Sequence, residues 1–199
     1  AMTMSSGAPT AVVTVTGAGT WRLNSLTIQA GGTFTAAAAT ITMDGNWDNT
    51  GGTFTYGTSI VVWAANGSFI NGGGYTDFYS VTVNAATILT LSSVGNILVN
   101  NTLTVNGTIT GATGTAQLAV SSTSPVAPLV LGASGSVSGL SAVNFRKSDE
   151  AATFSKTIAS TTYSILRIAT SGAATGTYTA NFGGNITAGA VEIGSTDGG

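Results

Sequence analysis

The chain has 199 residues, of which only 6% are charged, against about 25% in an ordinary globular protein, and its net charge is −2. Its five bases, Arg22, Arg146, Lys147, Lys156 and Arg167, are too few and too scattered to grip nucleic acid or an anionic membrane, and no apolar run approaches the roughly 20 residues of a spanning helix. Histidine and cysteine are absent, which excludes imidazole catalysis, thiol nucleophiles and zinc-thiolate sites.

In chain order the pattern is short strands. Residues 10–16 (TAVVTVT), 25–28 (SLTI), 33–35 (TFT), 40–43 (TITM), 53–55 (TFT) and 59–63 (SIVVW) alternate apolar with hydroxyl side chains, with Gly, Asn and Ser between them. The same texture continues through 80–83 (SVTV), 87–91 (TILTL), 96–99 (NILV), 102–105 (TLTV) and 108–110 (TIT). It weakens over 116–160, where two of the three prolines and a charged run (NFRKSDE, 144–150) fall, and resumes at 164–168, 177–182 and 190–193. No long window has a helical period. The expected divisions are an N-terminal strand or arm (1–19), a regular repeat (20–115), an irregular insertion or lateral region (116–160) and a second repeat region (161–199).

Two repeat lengths stand out. Phe34 and Phe54 sit in TFT units 20 residues apart. A longer echo of about 55 residues aligns 23–28 with 78–83, and 41–47 with 97–103. Twenty residues is the length of one solenoid coil, and 55 is about three coils. The reading is an all-β parallel β-solenoid with coils of roughly 18–20 residues. In each TxT unit the central residue points one way and both threonines the other, so Phe34, Phe54 and Ile109 are expected inside, beneath outward threonine ladders. An antiparallel β-sandwich with a donated strand is the alternative.

The blocks GNWDNTGGTFTYGTSIVVW and FYSVTVNAATILTLSSVGNILVNNTLTVNGTIT resemble the repeats of secreted bacterial and archaeal β-solenoid surface proteins: adhesins, filamentous-haemagglutinin-like arrays and autotransporter-passenger-like arrays. The resemblance covers about residues 20–115 well and 160–193 loosely. It implies an extracellular or cell-surface location and a structural role, and it carries no catalytic motif. The chain starts on Ala rather than Met, which reads as a mature N-terminus left by signal cleavage.

Seven carboxylates are spread along the chain with no clustered acid pair of the kind glycoside hydrolysis needs, so no catalytic residue is expected. Asp44, Asn46 and Asp48 place oxygens at alternate positions, like the start of a calcium loop. The acid and the glycine that such a loop needs further on are replaced by Thr55 and Asn49. Asn66, Asn100, Asn106 and Asn185 head glycosylation sequons. Trp21, Trp47 and Trp63 are read as core or face aromatics, with sugar stacking as the functional alternative. Threonine ladders suggest ice binding only where they run unbroken, and here they are interrupted.

Solenoid ends carry unpaired strand edges that soluble monomers cover with a helix, charge or proline. Neither terminus carries such a cover. Thr10, Val12, Val13 and Val15 at one end, and Val191 and Ile193 at the other, are therefore expected to pair with further copies. The 1–17 run is also a candidate donated strand. The expected function is a self-assembling subunit of an extracellular filament, fibre or surface sheath without a cofactor. The alternatives are a surface module gripping glycan or ice, and a fragment of a larger adhesin stalk.

Overall fold

Strands this short and apolar on one face gain little alone, and they are stable only when stacked so that each pairs with the one above and below. A computed structural model describes residues 2–4, 12–14, 17–72, 74–92, 95–111, 117–121, 128–147, 154–158, 161–170, 178–182 and 184–194. Every strand-to-strand ladder among them is parallel, and no helix occurs among them. The protein is a β-solenoid of about six coils, each of about 22 residues. The sandwich alternative fails on this pairing, since a sandwich is built from antiparallel neighbours. The coils are also longer than the expected 18–20 residues. The step is 20 from Thr20 to Thr40 and from Thr40 to Ile60, but 28 from Ile109 to Val137. The extra residues enter at the connections and leave the strand pairing intact.

Three faces follow one another in each early coil. The first face holds Val12–Thr14, Thr33–Thr35 and Thr53–Thr55. The second holds Thr20–Leu23, Thr40–Met43 and Ile60–Trp63. The third is a seven-stranded sheet from Met2–Met4 through Leu26–Ile28 and Trp47–Asn49 to Ser136–Ser138. A tight corner separates the first face from the second, and it stacks from coil to coil. Ala39 N–H donates to Ala36 O, Ser59 N–H donates to Tyr56 O, and Thr58 N–H reaches down to Ala37 O. Ala37 (φ 47°) and Gly57 (φ 55°) both take the left-handed conformation there. A Cβ on Gly57 would meet Ala37 O at 2.3 Å, so the corner requires a glycine on the upper coil.

In the next two coils that corner is straightened. Tyr75–Val83 and Asn96–Val105 run through it as single long strands, with a bulge where Tyr79 lies opposite Asn100 and Asn101. These strands join the second face to Gln117–Ser121, Ala142–Lys147, Thr162–Thr170 and Thr187–Gly194 in one ten-stranded sheet. Within residues 116–160, expected as an insertion or lateral region, Gln117–Ser121, Leu129–Leu131, Ser136–Ser138 and Ala142–Lys147 pair into these ladders, and Phe154–Ile158 pairs with Tyr178–Phe182 in a separate one. Met2–Met4 pairs with Leu26–Ile28 and Val12–Thr14 with Thr33–Thr35, forming the first rung in cis.

The 20-residue echo is true register: Phe34 lies under Phe54, and Thr33 and Thr35 under Thr53 and Thr55. The 55-residue echo is not. Ile41 stacks with Trp21 and Val61, whereas Ile97 stacks with Thr76 and Leu118. Every face repeats the same apolar-in, hydroxyl-out alternation, so a local match does not say which face a strand is on.

The core is one continuous column. Phe34, Phe54 and Ile109 are inside as expected, with Leu26, Ile41, Val61, Val81, Leu103 and Phe145. An aromatic cluster centres on Phe78, whose ring lies 5.3 Å from Trp47, 5.4 Å from Phe54, 5.8 Å from Phe69 and 6.1 Å from Trp63. Side-by-side Asn49 and Asn71 are buried in the same column and bond to Thr76 Oγ1.

Candidate functional site

Buried columns normally end where something covers them. On the outermost described rungs of the ten-stranded sheet, side chains of these columns are exposed. Val191 continues the column of Val143 and Leu166, and Ile193 continues that of Phe145 and Ile168. Val143, Leu166, Phe145 and Ile168 are buried, yet Val191 is 51% and Ile193 79% exposed. At the opposite end Trp21 stacks on fully buried Ile41, and half-buried Leu23 stacks on fully buried Met43, but Trp21 is 37% exposed. Phe182, on the neighbouring two-stranded ladder, is 51% exposed. Single exposed apolar side chains are ordinary, whereas here the exposed side chains continue core columns that are buried on the adjacent rungs. Among the described residues, Thr20–Leu23 and Thr187–Gly194 have no strand on their outer sides.

Of the residues expected at the ends, Val191 and Ile193 therefore stand on an open face. Val13 is partly buried against the core beneath Phe34, and Val12 shares its strand. Thr10 and Val15 lie outside the described residues. Sequence reasoning reads Trp21 as a core or face aromatic rather than an end residue and does not single out Leu23, although the alternation Thr20-Trp21-Arg22-Leu23 carries the same signal as Ala190-Val191-Glu192-Ile193.

An ion pair lies near each of these ends. Arg22 grips Asp44 with Nε to Oδ2 at 2.6 Å and a second bond to Oδ1 at 2.8 Å. This contact raises the guanidinium pKa, chiefly through the hydrogen bond and then through the charge of Asp44. Arg167 Nε meets Glu192 Oε2 at 2.5 Å across directly paired positions. In each pair the arginine is on one rung and the carboxylate is on the C-terminal side.

A second feature interrupts the first face. Among the described residues, Thr53–Thr55 has no strand partner on its later side, and residues 75–78 stand where one belongs. Between them lies a groove of about 350 Å³ lined by Asn49, Thr53, Phe54, Tyr56, Tyr75 and Asp77. Thr53 N–H bonds back to Gly32 O, and Thr55 O accepts from Ala36 N–H. The alternate residue, Phe54, therefore turns its N–H and C=O toward the groove. Asn49 is 8% exposed and its Oδ1 has no hydrogen-bond partner.

The possible calcium ligands are already engaged. Asp44 is held by Arg22, Asn46 Oδ1 accepts from Ser68 N–H at 2.9 Å, and Asp48 Oδ1 caps Thr50 N–H at 2.9 Å. All three oxygen sets thus serve protein donors, and no group of three or more acidic ligands forms among the described residues. Of the sequon residues, Asn66 is exposed at a coil corner, where its Oδ1 accepts from Ile88 N–H. Asn185 is exposed, Asn106 is half-buried at a bend, and Asn100 donates from the bulge to Phe78 O at 3.3 Å. Trp47 and Trp63 are fully buried and belong to the core. Thr108 and Thr110 lie on the third face, not above Thr53 and Thr55, so they do not extend that threonine ladder.

No family model matches the chain, and no curated protein or solved structure does so either.

Proposed function

We propose that this chain is a structural subunit of an extracellular filament, fibre or surface sheath, and that copies stack end to end through their open rungs. The observation that carries the reading is the exposure of Val191 and Ile193, which sit on core columns that are buried one rung below. Stacking another rung covers those side chains and pairs the edge N–H and C=O groups at the same time. The two ends differ, so the contact is heterologous, and stacking rung on rung along the solenoid axis carries it into a linear polymer rather than a closed ring. A charged fraction of 6% leaves little repulsion to oppose close packing. Electron microscopy and light scattering of purified chain test this. Filaments that lengthen with concentration are expected, and Val191→Asp with Ile193→Asp should abolish them while leaving the fold's circular dichroism intact. A wild-type chain that stays monodisperse and monomeric at high concentration overturns the reading.

A second reading, glycan binding at the side of the stack, is favoured by the groove over Thr53–Thr55. Its outward-turned Phe54 C=O suits a neutral ligand rich in hydroxyl donors, and Tyr56 adds an aromatic wall. A glycan array with wild type and Tyr56→Ala tests it, and equal signals from the two proteins would remove the groove as the site.

A further inference from the structure

Among the described residues, only one of the sheets runs the length of the stack. The three-stranded sheet ends at Thr53–Thr55, and the seven-stranded sheet ends at Ser136–Ser138, both followed in the chain by further rungs. The ten-stranded sheet has Thr20–Leu23 as one edge and Thr187–Gly194 as the other. These two strands also share a pattern. Trp21 and Leu23 stand on buried columns with Arg22 between them facing out; Val191 and Ile193 stand on buried columns with Glu192 between them facing out.

We infer that Thr187–Gly194 of one copy pairs in parallel with Thr20–Leu23 of the next, in the register Val191 opposite Trp21, Glu192 opposite Arg22 and Ile193 opposite Leu23. This register stacks apolar on apolar inside and closes both core columns. It also continues the charge order outside. Arg167 binds Glu192, and Arg22 binds Asp44, so the joint reads arginine, glutamate, arginine, aspartate along the outer surface. Arg22 keeps donors to spare, since two of its five N–H groups serve Asp44 and its side chain is 70% exposed. Glu192 keeps Oε1 for it. A shift by one residue would set charge on the core column and apolar side chains outside, which the period of two forbids. Pairing with Val12–Thr14 instead would bring only Val13 over the core. The parallel sense and the chain direction are those of every other ladder among the described residues.

The inference rests on end-to-end assembly, and the test separates the two. The chain has no cysteine, so introduced thiols are unambiguous. Thr20→Cys with Ala190→Cys places thiols at paired outward positions of the joint and leaves both ion pairs untouched. Neighbouring Cα atoms in a sheet are about 4.8 Å apart, inside the roughly 4.4–6.8 Å range that a disulfide bridges. Oxidation, or a short bifunctional thiol reagent, is expected to give a ladder of covalent multimers from assembled protein and none below the assembly concentration. Thr20→Cys with Glu192→Cys, two residues out of register, should give little. Filaments that crosslink through Thr14→Cys with Glu192→Cys, the positions that meet if Val13 lies opposite Val191, and not through 20 and 190, overturn the register while leaving assembly standing. Wild-type protein that forms no filaments overturns both.

Discussion

At the scale of single residues, solvent exposure separates side chains enclosed by the fold from those bare on its outermost described rungs. Val191 and Leu166 occupy one column with the same chemistry, yet one is bare and the other buried. Burying an aliphatic side chain is worth about 1.5–3 kcal/mol, so covering the two bare ones on one rung would add substantially to the end-to-end association proposed above. Tyr163 shows the opposite condition. It is 2% exposed, packed edge-on to Phe145 at 6.2 Å, and burial pushes its phenol pKa well above the ordinary value. A pKa raised in the folded state means that the folded chain resists ionisation. Its stabilising effect is complete below the unfolded pKa of about 10 and is lost as pH rises from there toward the folded value. Thermal midpoints measured between about pH 8 and about pH 11 should fall more steeply for wild type than for Tyr163→Phe. Parallel curves would mean that other groups govern the alkaline limit.

At the scale of elements, the corner between the first and second faces is the most demanding local structure. Ala37 holds a left-handed conformation that suits glycine, while Gly57 directly above cannot accept a Cβ. Ala37→Gly is therefore expected to stabilise by about 0.5–1 kcal/mol, and Gly57→Ala to destabilise by more than that, in urea titrations. A destabilising Ala37→Gly would show that the loss of chain stiffness outweighs the relieved backbone. The strands themselves are legible in the sequence because an apolar residue between two threonines has one sensible orientation, as Phe34, Phe54 and Ile109 show. Their assignment to faces is not. Residues 25–28 and 80–83 look alike as sequence and lie on different sheets, because each face asks for the same alternation and only the corners tell them apart. The merging of two faces in Tyr75–Val83 escapes a sequence reading for a related reason: the bulge opposite Asn100 and Asn101 has no distinctive residue code. Val191 and Ile193 are legible as an apolar pair at one end, but their openness depends on what stacks above them, which composition does not encode. Trp21 and Leu23 carry an equal signal that is hidden inside an apparently regular repeat.

At the scale of the whole molecule, a solenoid behaves as a one-dimensional array in which each rung supports its neighbours. Such an array has two ends of opposite kind, and a polymer built from it grows by adding the N-terminal rung of one copy to the C-terminal rung of another. A subunit carrying Val191→Lys and Ile193→Lys keeps its Thr20–Leu23 edge, so it can still add to an exposed Thr187–Gly194 edge. Once added, it presents two charges on the next core columns and accepts nothing. Small amounts of this variant should shorten wild-type filaments without removing them, with mean length falling as the variant fraction rises. The corresponding change at the other end, Trp21→Lys with Leu23→Lys, should cap the opposite end. The two together in one chain should be inert, because a subunit dead at both ends joins nothing. Filament lengths measured by electron microscopy distinguish these cases. If the doubly altered chain shortened filaments as strongly as either single-ended one, growth would not be running through these two edges.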